Sequence, residues 1–128
     1  TDILDLFAAT AKGELANTAF ELDSRFCTTV MLVAAGYPGS YEKGKTITGC
    51  DRVEGGMVFH AGTKKAGEEV VTNGGRVIAV SSFGNTMEEA LAKSYANVKR
   101  ISFEGMNYLR DIGFDLIRLK DSIVFGKK

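Results

Sequence analysis

The sequence predicts an α+β fold built on a mainly antiparallel, glycine-punctuated β-sheet with flanking helices. Three observations predict it. Short β-type runs follow one another closely from Thr46 to Val80, and most of the fifteen glycines fall between runs rather than inside them. A nearly continuous apolar stretch, Arg25–Ala34, precedes them. After them comes a capped amphipathic helix.

Taken in order, Asp2 to Lys12 spaces Ile3, Leu6, Phe7 and Ala11 as a helix does, with Asp2 as N-cap and Gly13 as stop. Glu14 to Asp23 reads as a polar connection with room for another helical turn. In Arg25–Ala34, the run Cys27-Thr28-Thr29-Val30-Met31-Leu32-Val33 predicts a strand covered on both faces. The single proline, Pro38, sits in Gly36-Tyr37-Pro38-Gly39 and ends that strand in a turn. Thr46–Thr48, Met57–Ala61, Glu69–Thr72 and Arg76–Val80 are the β-type segments that follow, and Asn73-Gly74 is a local signal for a type I′ hairpin. Thr86-Met87-Glu88-Glu89 forms a capping box. From it run Met87, Leu91, Tyr95, Val98 and Ile101 as an apolar stripe, opposed by Glu88, Lys93, Asn97 and Arg100, with Gly105 as the expected stop. Asp111-Ile112-Gly113 begins a last turn or short strand, and Gly126-Lys127-Lys128 is a polar tail.

Composition narrows the function classes. With 128 residues, 45% of them hydrophobic, the chain fits one domain with a core of useful size and room for a short piece of a neighbour. Sixteen basic and sixteen acidic residues balance, so no global field favours nucleic acid or an anionic membrane. Cys27 and Cys50 form no CxxC pair and His60 is the only histidine, so metal ligation is not expected and reduced thiols are. No apolar run reaches the ~18 residues of a membrane span. Thr1-Asp2-Ile3 has neither an initiating Met nor a signal-peptide pattern, and is expected to continue from a longer polypeptide.

Three segments carry the chemistry. In TNGGRV (Thr72–Val77), Gly74 and Gly75 lack Cβ atoms, so backbone N–H groups can approach a phosphate that Arg76 grips; a plain hairpin with an exposed Arg is the other reading. AAGYPGSYEKG (Ala34–Gly44) delivers Gly36, Tyr37 and Pro38 to a sheet edge, either as ligand contacts or as a tight turn around a packed aromatic. In FHAGT (Phe59–Thr63), His60 alternates opposite Met57, Phe59 and Ala61, which fits an outward or hydrogen-bonded structural position better than acid–base catalysis.

The order and spacing of these segments, followed by ISFEGMNYLRDIG (Ile101–Gly113), resemble the C-terminal domain of the phosphoribosylamine–glycine ligases, members of the ATP-grasp superfamily. The resemblance runs from about Asp2 to Gly113. It implies a rudimentary single-hybrid, or barrel-sandwich-like, sheet over residues 20–128, with residues 1–19 as the last helix of the ATP-grasp region. It also implies a cytoplasmic enzyme of purine biosynthesis in which ATP phosphorylates the carboxylate of glycine and the amine of phosphoribosylamine attacks the acyl phosphate. ATP and Mg²⁺ (or Mn²⁺) then belong to the full-length enzyme, with none expected on this fragment. Its partners are the remaining N-terminal and ATP-grasp domains and the substrates phosphoribosylamine and glycine. The expected substrate-binding set is Arg76, Gly74, Gly75, Gly36, Tyr37 and Pro38, with Thr63 and Lys64 helping to shape the site and no catalytic residue. A bracing module without ligand contact is the alternative. Ala35 stands where the family shows the first of two glycines before Tyr-Pro, and Leu109 where it places an Arg.

Overall fold

A computed structural model describes residues 1–120, with side chains through Ile117. The elements are α1 (Ile3–Lys12), β1 (Phe26–Val33), β2 (Gly56–His60), β3 (Thr63–Ala66), β4 (Glu69–Thr72), β5 (Arg76–Gly84), α2 (Met87–Val98) and α3 (Phe114–Lys120). A three-stranded antiparallel sheet has the order β1-β5-β2, and β3 with β4 makes a separate two-stranded sheet. The α+β, mainly antiparallel fold is therefore as the sequence predicts. The polar tail at Gly126–Lys128 lies outside the described residues.

α1 forms as its caps dictate. Asp2 Oδ1 accepts from Leu4 N–H at 2.9 Å, and Gly13, at φ 74°, turns its N–H back onto the Ala9 and Thr10 carbonyls. Its side chains Ile3, Leu4 and Phe7 stay exposed.

The main core lies between α2 and one face of the three-stranded sheet. Val30 and Leu32 of β1 stand opposite Val80 and Ile78 of β5, and Val98, Ile101 and Phe103 close over them. α2 is also pinned by polar contacts: Ser94 and Thr28 hydroxyls meet at 2.8 Å. Asn97 corrects the sequence reading. It is 2% exposed rather than on the polar face, because its carboxamide receives Glu54 N–H at 3.1 Å and donates to Glu54 C=O at 2.9 Å. The helix also ends at Val98, not near Gly105; Gly105 instead takes φ 74° in the loop after Phe103.

Two further strand readings change. β1 is not covered on both faces: Val30 and Leu32 are buried, whereas Cys27 and Thr29 are exposed and Met31 and Val33 only half-buried. The same open face carries Met57 and Phe59 of β2, 42% and 50% exposed, opposite Ser81 and Ala79. Asn73-Gly74 makes no hairpin, since β4 and β5 belong to different sheets and Gly74 is not at positive φ. The hairpin is Thr63–Thr72, turning at Gly67 with φ 66°. Thr46 and Thr48 contribute isolated bridges to Val71 and Ser102 rather than a strand.

Candidate functional site

The three glycine-bearing segments, distant in sequence, meet at one corner of the fold. Ala34 N–H donates to Gly75 C=O at 2.8 Å, joining AAGYPGSYEKG to TNGGRV. Gly62 N–H donates to Arg76 C=O at 2.8 Å and Asn73 N–H to Gly62 C=O at 2.7 Å, joining FHAGT to the same loop. Gly62 and Gly74 face each other so closely that a Cβ on Gly62 would stand 2.7 Å from Gly74 Cα. No L side chain fits between the two backbones.

Gly36 takes φ 87°, and a Cβ there would strike the Ser40 carbonyl, so the turn requires glycine. The Tyr37–Pro38 peptide is cis. The Tyr37 ring lies over Gly75, whose own Cβ would collide with it and approach Tyr41 Cε1 at 3.0 Å. Gly75 is buried, and its bareness is used by an aromatic ring.

Arg76 opens β5, and a β-bulge decides where it points. Leu32 pairs with Ile78, but the next residue of β1, Val33, pairs with Arg76, leaving Val77 as the extra residue. Without the bulge Arg76 would share the core face with Ile78 and Val80. With it, both Val77 and Ile78 are buried and Arg76 stands on the open face beside Val33. Its guanidinium is exposed and makes no hydrogen bond or ion pair with any of the described residues.

Arg76 and Tyr37 line an open cavity of about 420 Å³ floored by Thr29, Met31 and Val33 of β1 and walled by Asn107 to Leu109 and Ile112. This wall was not foreseen. Tyr95 Oη holds it by donating to Leu109 C=O at 3.0 Å while receiving Ile112 N–H at 3.1 Å. Leu109 itself is 70% exposed. Arg110 turns over the Tyr108 ring, 5.5 Å from its centroid. The run Cys27-Thr28-Thr29-Val30-Met31-Leu32 carries no polar–apolar alternation that could have marked the cavity floor; only burial in the fold separates its even from its odd positions.

Of the predicted set, Gly36, Tyr37, Gly74, Gly75 and Arg76 are brought together at this corner, and Pro38 follows Tyr37 in the same turn without lining the cavity. His60, exposed, meets Thr63 Oγ1 through Nδ1 at 3.1 Å, a local hydrogen bond consistent with a structural position. Thr63 and Lys64 lie on β3, away from the cavity lining. Cys50, half-buried, has its thiol pKa raised by burial and by Asp51. Among the described residues no three His, Cys, Asp or Glu side chains are grouped to hold a metal ion, and no helix is long and apolar enough to cross a membrane.

Residues 27–115 match the family model of the phosphoribosylglycinamide synthetase C domain. Among curated relatives, phosphoribosylamine–glycine ligase of Chlorobaculum tepidum is 41% identical over 116 residues, covering 88% of this chain and 27% of the relative. The enzyme of the same name from Vibrio cholerae is 42% identical over 119 residues, 91% of this chain and 28% of its own. A crystal structure of phosphoribosylamine–glycine ligase from Thermotoga maritima superposes with a TM-score of 0.68 at 37% identity, over 82% of this chain and 27% of that one. The chain thus spans little more than a quarter of the length of these relatives. With the family match covering most of the sequence and the same fold in a solved relative, the chain belongs to the phosphoribosylglycinamide synthetase C-domain family.

Proposed function

We propose that this chain forms one wall of the substrate site in a phosphoribosylamine–glycine ligase, with Arg76 binding the 5-phosphate of phosphoribosylamine. The carrying observation is the unengaged Arg76 guanidinium, turned by the bulge to line, with Tyr37, the cavity beside the corner where the three glycine-bearing segments meet. A guanidinium offers a phosphate two parallel N–H donors and a fixed charge. Gly36, Tyr37 and Pro38 supply the neighbouring wall, and Gly74 and Gly75 the backbone setting.

In the full reaction ATP would phosphorylate the glycine carboxylate, and the amine of phosphoribosylamine would displace phosphate to give glycinamide ribonucleotide, ADP and phosphate, a step of de novo purine biosynthesis. The residues described here bind and orient; none is placed as acid, base or nucleophile. Among the described residues no His/Cys/Asp/Glu cluster fits Mg²⁺ or Mn²⁺; in this reading ATP and the metal are held by the N-terminal and ATP-grasp domains of the same polypeptide, a cytoplasmic enzyme. Residues 1–19 would be the end of the ATP-grasp region and 20–128 the C-terminal domain. The exposed apolar residues Ile3, Leu4 and Phe7 of α1 support that division.

In the full-length enzyme, Arg76→Ala should raise KM for phosphoribosylamine about tenfold or more, as expected for a lost charge-assisted contact, with glycine and ATP parameters and Tm unchanged. A bracing role is the second reading, favoured by Gly75, whose lack of a side chain serves the Tyr37 ring. It predicts an unchanged KM and a lower Tm. The isolated chain should have no ligase activity; glycine- and phosphoribosylamine-dependent ADP release from the pure chain would refute this.

A further inference from the structure

Val33 ends β1 with a partner on each side. Across the bulge it faces Arg76. On its other side is Asn107, whose carbonyl accepts Val33 N–H at 2.9 Å and whose N–H donates back at 3.0 Å. Directly opposed residues of antiparallel segments carry their side chains to the same face. Asn107, Val33 and Arg76 therefore form one row, and all three line the 420 Å³ cavity. The two outer residues are two strand spacings apart, about 10 Å. The long Arg76 side chain can span part of that gap, and Val33 offers no polar group to fill the rest.

The Asn107 carboxamide is already oriented. Its Oδ1 accepts Tyr108 N–H at 2.9 Å, and only the oxygen can take that proton, so the amide orientation is fixed by its partner. Nδ2 is left with two N–H groups and no partner among the described residues. At the far end of the row the guanidinium is equally unengaged. A cation and a neutral double donor thus flank an apolar floor.

We propose that Asn107 is a second phosphate-binding residue: its Nδ2 donates to an oxygen of the anion that Arg76 holds, so the two grip it from opposite sides of Val33. The clamp rests on the reading of Arg76 as a phosphate ligand and adds a residue outside the three glycine-bearing segments.

The test uses the full-length enzyme, with KM for phosphoribosylamine and the inhibition constant of ribose 5-phosphate as readouts. Asn107→Ala should raise both about five- to tenfold, the loss of one donor to a charged group. Asn107→Asp should raise them further by placing a carboxylate against the phosphate, yet it keeps the oxygen that receives Tyr108 N–H and should leave Tm and the constants for glycine and ATP unchanged. Combined with Arg76→Ala, the Asn107→Ala effect should shrink, because the two residues share one anion. If Arg76→Ala raises both constants while neither Asn107 variant does, the clamp is refuted and the Arg76 reading stands. If Arg76→Ala also leaves both constants unchanged, both fall. Effects of Asn107 variants that appear only together with a lower Tm would likewise overturn the clamp in favour of a structural role.

Discussion

At Gly75 a single methyl group would enter the space of the Tyr37 ring and press on Tyr41, while the Gly75 carbonyl is held by Ala34 N–H. Neither side can yield easily, because Gly36 fixes the turn that carries Tyr37. Gly75→Ala should therefore destabilise the fold by about 1–3 kcal/mol, the usual cost of overpacking. Removing the obstacle separates the causes: in a Tyr37→Ala background the same change should cost much less by chemical denaturation. If the cost is undiminished, the ring is not what excludes a side chain at Gly75. The turn at Gly36-Tyr37-Pro38-Gly39 and the candidacy of Arg76 were legible in the sequence; that Gly36 admits no side chain was not, because the obstacle is the Ser40 carbonyl. The direction of Arg76 was not, because it depends on which residue of β1 pairs with it. That is a matter of two strands, not of one.

At the scale of elements, local chemistry gave reliable helix starts. Thr86 Oγ1 accepts Glu89 N–H at 3.1 Å, and Glu89 Oε2 accepts Asn85 N–H at 2.8 Å, one residue upstream of the reciprocal contact a strict box would make. The Lys93 ammonium, followed by that N–H, lowers the Glu89 carboxyl pKa. Less was legible where tertiary contacts overrule a residue's habit. Asn97 looks like a solvated residue until the Glu54 backbone is placed beside it, and the polar run Thr63-Lys64-Lys65-Ala66 shows no strand pattern until β4 supplies its partner. Removing the Thr86 cap should cost about 1 kcal/mol. Asn97→Ala should exceed it, up to about 3 kcal/mol, since it removes a buried carboxamide that serves both the part-buried N–H and the C=O of Glu54. Urea melts of the two variants give the comparison directly, and equal costs would show that water replaces the carboxamide.

For the whole molecule, the distinction that matters is between a sheet face closed by α2 and one left open, with Met57, Phe59 and the β1 cavity on the open side. An apolar face of this kind marks a surface that docks against something else. On its own, the chain should bind a hydrophobic dye and self-associate at raised concentration, and Met57→Ser with Phe59→Ser should suppress both with little change in Tm. Undiminished dye binding would place the sticky surface elsewhere. Composition could not have shown this, because an apolar residue reads as core until the covering layer is known. The bulge at Val77 acts here as a parity device. Substituting Arg76 changes one contact; deleting Val77 would return the strand to plain alternation with the guanidinium still opposite Val33 on the open face, whereas one residue inserted between Arg76 and Val77, with the bulge kept, would carry it through to the α2 side. This stretch should accordingly keep its cation on the open face through the loss of Val77 and lose it to the α2 side on gaining a residue.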